Sequence, residues 1–171
     1  MIHPVVRVLV ERAAAGRVAL LDLAGVVPGE YWQRRAPGGA WTAQEHLTHA
    51  LTADGLLLDV LAEPGQAVEL ARVRAEAIGA GVKLPYERLL EAAAAQRQEL
   101  IRFLEGLPAN DLEGPLVFPG TSETWGRPRS ISVQRYLEVW AAHDAEHTAA
   151  IREAISAAPD LSAVARTQRL L

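Results

Sequence analysis

The sequence predicts an all-α protein, a four-helix bundle with long crossover connections. Apolar residues recur at helical spacing over four long stretches. Proline and glycine punctuate the chain between them. Strand signals are nearly absent, with Leu116-Val117-Phe118 the only short candidate. Helices of about 20 residues would be roughly 30 Å long, which is bundle geometry.

The first helix is expected from residue 4 to about 24, with Pro4 suited to its first turn and Val26-Val27-Pro28-Gly29 ending it. The second opens at Trp41-Thr42-Ala43-Gln44-Glu45. There the Thr42 hydroxyl and Glu45 carboxylate can satisfy each other's free backbone N–H groups as a capping box. Glu63-Pro64-Gly65 stops it, and a shorter helix is expected over 67–79. The third long helix runs from beside Pro85 to Gly106-Leu107-Pro108, carried by Leu89, Leu90, Ala93, Leu100, Ile101 and Leu104. Residues 108–130, with Pro115, Pro119, Gly120, Gly126 and Pro128, read as a long ordered loop. The fourth runs from about 132 to 157, ahead of Pro159. A single domain over 1–171 accommodates all of this, with 158–171 as a short extra helix.

A formal charge of −4 and scattered arginines argue against a nucleic-acid partner. Arg7, Glu11, Arg12, Arg17 and Asp22 interrupt the apolar N-terminal stretch, so neither a signal segment nor a membrane span is expected, and the cytoplasm is the expected compartment. With no cysteine there is no disulfide, no thiolate nucleophile and no cysteine-bound zinc. A metal would have to be held by His, Asp or Glu, and a thiol would have to come from outside.

Among the five histidines, His143 and His147 lie one turn apart on the last helix, about 40° apart around its axis. Both imidazoles can converge on one point. Tyr136, Val139, Trp140, Ala150 and Ala154 lie close to the same direction, whereas Glu138, Thr148, Arg152 and Glu153 are expected to face away. Two unpaired imidazoles would be costly to bury, so the pair either binds a metal or donates to neighbouring helices or buried water. The string His143-Asp144-Ala145-Glu146-His147 also matches the H-x-x-E-H signature of inverted zincin peptidases. Those enzymes take a third ligand from a glutamate well downstream. Here only Glu153 and Asp160 follow, and Glu146 projects towards the polar side.

On a helical wheel His46 lies at the centre of the apolar face of the second helix, and His49 about 60° to one side. The stretch from Trp41 to Leu51, taken with Ala142-His143-Asp144-Ala145-Glu146-His147, resembles the DinB-like (DinB/YfiT) superfamily of four-helix-bundle metalloproteins. In that family a tryptophan precedes the second helix, a histidine follows it eight positions later, and an H-x-x-x-H pair, often H-D-x-x-H, lies on the last helix. The resemblance implies that His49, His143 and His147 bind a divalent metal, commonly zinc or nickel, with positions open for water or substrate. His46 would then be a core imidazole or a partner of a ligand, and His3 would be exposed. The resemblance also implies a homodimer. Some relatives use a low-molecular-weight thiol such as bacillithiol, mycothiol or glutathione. At Ala150 many relatives carry a glutamine, so substrate preference does not transfer.

Three neutral imidazoles with an open position make the metal a Lewis acid, which lowers the pKa of bound water from about 15.7 towards about 7 and deprotonates a coordinated thiol. Asp54, Asp144 and Glu146 are candidates to orient a ligand N–H, or they are structural and surface charges. Tyr31, Trp32, Trp41, Trp125 and Trp140 could wall a pocket or pack the core. Arg34, Arg35, Arg127 and Arg129 could meet an anionic group at the bundle mouth. The expected function is a metal-dependent enzyme acting on a small molecule, a thiol S-transferase or a hydrolase. The alternative is a non-catalytic bundle with a structural metal or none, acting through a dimer or partner interface. Closed structural zinc sites use four protein ligands, and three candidates favour an open site.

Overall fold

A computed structural model describes residues 2–62, 70–118 and 129–157. The expected helix over 158–171, together with Trp125 and Arg127, lies outside the described residues.

Four long helices form the bundle: α1 (Pro4–Val26), α2 (Ala43–Ala62), α4 (Tyr86–Glu105) and α5 (Val133–Ser156). A shorter α3 (Leu70–Gly81) lies between α2 and α4 in the chain. Helix α1 packs on α5, α5 on α2 and α2 on α4. Local chemistry fixes the starts. Pro4 occupies the first turn of α1, and His3, half-buried rather than exposed, caps it by accepting from the Val5 N–H at 3.3 Å. The capping box of α2 forms as expected: the Thr42 N–H donates to the Glu45 carboxylate at 2.6 Å and the Glu45 N–H to the Thr42 hydroxyl at 3.1 Å. Ser132 caps α5 by accepting from the Arg135 N–H at 3.1 Å.

In the expected loop over 108–130 the described residues, 108–118 and 129–130, are more regular than the prolines and glycines suggest. A 3-10 helix covers Ala109–Glu113, and β1 (Pro115–Phe118) pairs antiparallel with β2 (Arg129–Ser132), Leu116 opposite Ile131. Leu116 and Leu112 are buried against the bundle, so hydrophobic anchoring outweighs the turn residues there.

Two apolar clusters fill the bundle. One joins Val6 and Leu9 of α1, Leu57 and Val60 of α2, Leu100 and Leu104 of α4, and Leu137 of α5. The other joins Leu20, Leu47, Leu51, Leu89, Ala93 and Ile151. The order in which each helix meets them gives its direction: α1 and α5 start at the first cluster, α2 and α4 at the second. Parallel α2 and α4 need a return path between them, which is where α3 lies.

Between the two clusters sits a charged layer with one residue from each bundle helix. Arg17 of α1 donates to Asp144 of α5 at 2.8 Å and to Asp54 of α2 at 3.2 Å. Arg97 of α4 donates to Asp54 at 2.8 and 3.1 Å and to Asp144 at 3.1 Å. The Trp140 indole N–H completes Asp54 at 2.8 Å, and the carbonyls of Ala50 and Ala13 take the remaining guanidinium donors. Two positive and two negative side chains cancel, and each carboxylate is saturated with donors, the condition under which buried charge is tolerated. Asp54 and Asp144 are 0% and 4% exposed, so they are structural charges and not surface ones. Thr148, expected to face away, is also buried and donates to the Asp144 carbonyl at 2.7 Å. Helix α5 therefore buries two faces.

Helix α3 closes tightly on α2 at Gly81, where a Cβ would stand 2.5 Å from the buried Thr48 methyl. Gly81→Ala is expected to lower stability by about 1–2 kcal/mol, the overpacking penalty less the conformational gain of alanine. Gly79→Ala, with nothing within 4 Å of its Cβ, is expected instead to add about 0.5–1 kcal/mol. Urea unfolding of the two variants side by side checks the contrast.

Candidate metal centre

The α2–α5 seam carries the histidines. On α2 the capping box fixes the start, so Trp41 lies just outside the helix and His49 two turns inside it. On α5 the four-residue spacing stacks His143 and His147. The structure brings His49, His143 and His147 together, their ligand atoms all within 4.8 Å of one another. Nε2 of His49 and Nε2 of His143 are 3.0 Å apart. The three ring centroids are separated by 4.4 to 4.9 Å.

His49 is buried, at 7% exposure, while His46 is half-buried and outside this group. Its Nδ1 instead meets Nδ1 of His147 at 3.0 Å, so one ring carries the shared proton and the other accepts it. That contact holds the His147 ring and leaves its Nε2 as the nitrogen not engaged by His46. Trp41 stacks on His147 at 6.0 Å and meets His49 edge-on at 4.9 Å, walling the group on one side.

All four imidazoles are held neutral. Burial, followed by repulsion from the neighbouring His143, pushes His49 down to about 3 and His147 to about 2. His143 and His46 are also lowered, chiefly by burial. A neutral imidazole offers a lone pair, which a cation needs. Nδ1 of His49 and Nδ1 of His143 are buried without a protein partner, so in the protein alone these rings share one contact between them. A divalent cation fits this donor set. Nε2 of His49 and Nε2 of His143, together with His147, would hold it.

The carboxylates near these ligands in sequence do not serve them. Asp54 and Asp144 are turned to Arg17 and Arg97, and Glu146 is exposed. The peptidase reading needs Glu146 at the centre, and it is not there. Nor do Arg34 and Arg35 reach the site. Arg34 lies over the Tyr31 ring and donates to the Ile155 and Ala157 carbonyls at the end of α5, and Arg35 pairs with Glu45.

A cavity of about 150 Å³ opens beside His49 and His143. Leu56, Leu57, Val139 and Trp140 give it apolar walls, and Tyr136 and Arg74 are its other polar groups. Of the expected aromatic walls, Trp140 and Trp41 lie at the site, whereas Trp32 packs on the second apolar cluster. Arg74 was not foreseeable, because only the path of α3 brings it there.

A family model described as the DinB superfamily matches residues 12–151, a span that holds all three clustered histidines and all four charges of the buried layer. The chain belongs to the DinB superfamily. No curated protein and no solved structure gives a significant match. As a DinB superfamily member with its three histidines clustered in the seam, the protein has the equipment to hold a divalent metal ion. Among the described residues no helix is long and apolar enough to cross a membrane.

Proposed function

We propose that the protein is a mononuclear metalloenzyme in which His49, His143 and His147 hold zinc or nickel, and which acts on a small molecule entering the adjacent cavity. The observation that carries this reading is the cluster of three neutral imidazoles, His49 buried and His143 and His147 half-buried, at the edge of an apolar cavity. Among the described residues no carboxylate joins them as a fourth ligand. Three protein ligands are the pattern of a reactive centre, four that of a structural one.

When bound, the metal would supply Lewis acidity towards an oxygen or sulfur donor. The chain's own groups do the rest. His46 fixes the His147 ring through the shared proton. Trp41 and Trp140 with the leucines exclude water, which strengthens every electrostatic interaction in the cavity. The Tyr136 hydroxyl, pushed up by burial, stays a phenol. Neither Asp54 nor Asp144 is available as a base, since both are held by arginine. The chain has no thiol, so a transferase of this kind takes a low-molecular-weight thiol as co-substrate; hydrolysis is the other reaction the centre supports.

Metal analysis of the purified protein tests the centre. Wild type is expected to hold near-stoichiometric metal, His49→Ala to lose it, and His46→Ala to retain most of it with at most about a 10- to 100-fold lower affinity. Equal retention by both variants would remove His49 from the centre. Turnover with a panel of thiols and electrophiles then separates transfer from hydrolysis, and silence in both assays would favour a structural metal.

A further inference from the structure

The cavity beside the histidines is apolar on most of its walls, and its cationic side chain comes from outside the four-helix bundle. Arg74 lies on α3 and lines the cavity together with His49 and His143. Its guanidinium carbon stands 5.5 Å from the centre of the Trp41 ring, whose edge faces His49. Stacking on an aromatic face pre-organises a guanidinium while leaving its N–H fork free for a planar acceptor. Among the described residues Arg74 forms no ion pair. This sets it apart from Arg17 and Arg97, which are saturated by carboxylates, and from Arg35, which pairs with Glu45.

From this juxtaposition we infer that Arg74 is the specificity-determining residue of the site, selecting small molecules that carry one carboxylate on an apolar body. The inference rests on the metal-centre reading for what happens at the other end of the cavity. The size of the body follows from the volume. About 150 Å³ matches cavities that take a single benzene-sized group. The walls of Leu56, Leu57, Val139 and Trp140 offer such a body no hydrogen bonds except at the Trp140 indole N–H, which Asp54 already occupies, and the Tyr136 phenol is the neutral polar group beside them. An uncharged molecule would bury its apolar part equally well and gain only a weaker hydrogen bond from Arg74, to a neutral acceptor. A carboxylate gains a charge-assisted, two-pronged hydrogen bond in a site shielded from water. Val139, 44% exposed at the cavity wall, marks the way in.

Benzoate and benzamide make the test, because they share shape and differ in charge. Binding of each to zinc-loaded protein is measured by calorimetry, and metal content is determined on the same samples. Wild type is expected to prefer benzoate by about 10- to 100-fold, the range of one hydrogen bond to a charged partner. Arg74→Gln is expected to abolish that preference by weakening benzoate far more than benzamide, with metal content unchanged, and Arg74→Lys to restore part of it. A benzoate preference that survives in Arg74→Gln would assign carboxylate recognition to the metal and overturn the inference. So would equal binding of the two probes by wild type, or no benzoate binding at all. Repeating the titration on metal-free protein separates the two readings. A sample that takes up no metal but keeps an Arg74-dependent preference defeats the metal centre and leaves the anion site standing. Full metal without the preference does the reverse.

Discussion

Asp54→Ala is expected to lose about 3–5 kcal/mol of folding stability, the cost of leaving buried charge uncompensated. The removed carboxylate accepts from Arg17, twice from Arg97, and from the Trp140 indole. After the substitution two guanidinium groups face one carboxylate in a layer where Asp54 itself is 0% exposed, and the indole N–H has lost its acceptor. Against a total stability of about 5–15 kcal/mol for a domain, that loss is a large fraction of what holds the fold. The effect belongs to burial and not to ion pairing as such. Arg88→Ala breaks an exposed pair on α4, Arg88 to Glu91 at 2.9 Å, and is expected to change stability by under about 0.5 kcal/mol. Urea unfolding at neutral pH measures both. Similar midpoints for the two variants would show that the buried layer contributes no more than a surface contact.

The second large effect is expected in acid. In the folded protein burial holds His49 at about 3 and His147 at about 2, whereas an imidazole in the unfolded chain titrates near 6.5. Between those values the unfolded chain binds more protons than the folded one. Stability of the metal-free protein is therefore fully present above about pH 6.5 and is lost as the pH falls towards the folded-state values. The slope is about 1.4 kcal/mol per pH unit for each histidine while both remain neutral in the fold. Two such groups remove about 4 kcal/mol between pH 6.5 and pH 5. Chelator-treated protein is thus expected to unfold cooperatively between about pH 5 and pH 3. Circular dichroism against pH follows it, with His147→Gln flattening the slope. A plateau of constant stability from pH 7 to 4 would mean that the imidazoles are not buried as a neutral group.

Much of the frame could be read from local signals. The capping box at Thr42 and Glu45 places the start of α2 to the residue, and four-residue spacing puts His143 and His147 on one face. The choice between His46 and His49 shows where periodicity gives out. Helix α2 buries Thr48, His49, Ala50, Leu51 and Asp54 at once, an arc so wide that its centre points at no particular neighbour. The distance from Trp41, a family property, picks the buried histidine where the wheel does not.

The charged layer was missed for a different reason. Arg17 reads as an interruption of an apolar stretch, and Asp54 and Asp144 read as companions of nearby histidines, because their partners are tens to more than a hundred residues away. A signal was nevertheless available. Arg17 follows Ala13 by four residues and precedes Leu20 by three, and Arg97 stands in the same relation to Ala93 and Leu100. A charge at a core position in each of four amphipathic helices, summing to zero, predicts a shared layer. Of the β1–β2 pair the sequence marked only Leu116-Val117-Phe118, and nothing marked its partner strand. Each strand has only four residues, too few for an alternating pattern to stand out among prolines and glycines.

His143 and Asp144 are consecutive residues, one turned towards the candidate metal centre and the other towards Arg17 and Arg97. Sliding α5 by a turn would carry Asp144 away from both guanidinium groups and bring Trp140 or Thr148, neither of them a carboxylate, to that level. Greasy helices tolerate small axial slips; a pair of salt-linked arginines does not, which makes the layer a registry device in the sense known from coiled coils. The alignment of the clustered imidazoles is therefore inherited from α1 and α4, two helices that contribute none of the three histidines. Divergence in this lineage is free to rework the walls and the crossover around the site, whereas drift at Arg17 or Arg97 would detune the centre from a distance.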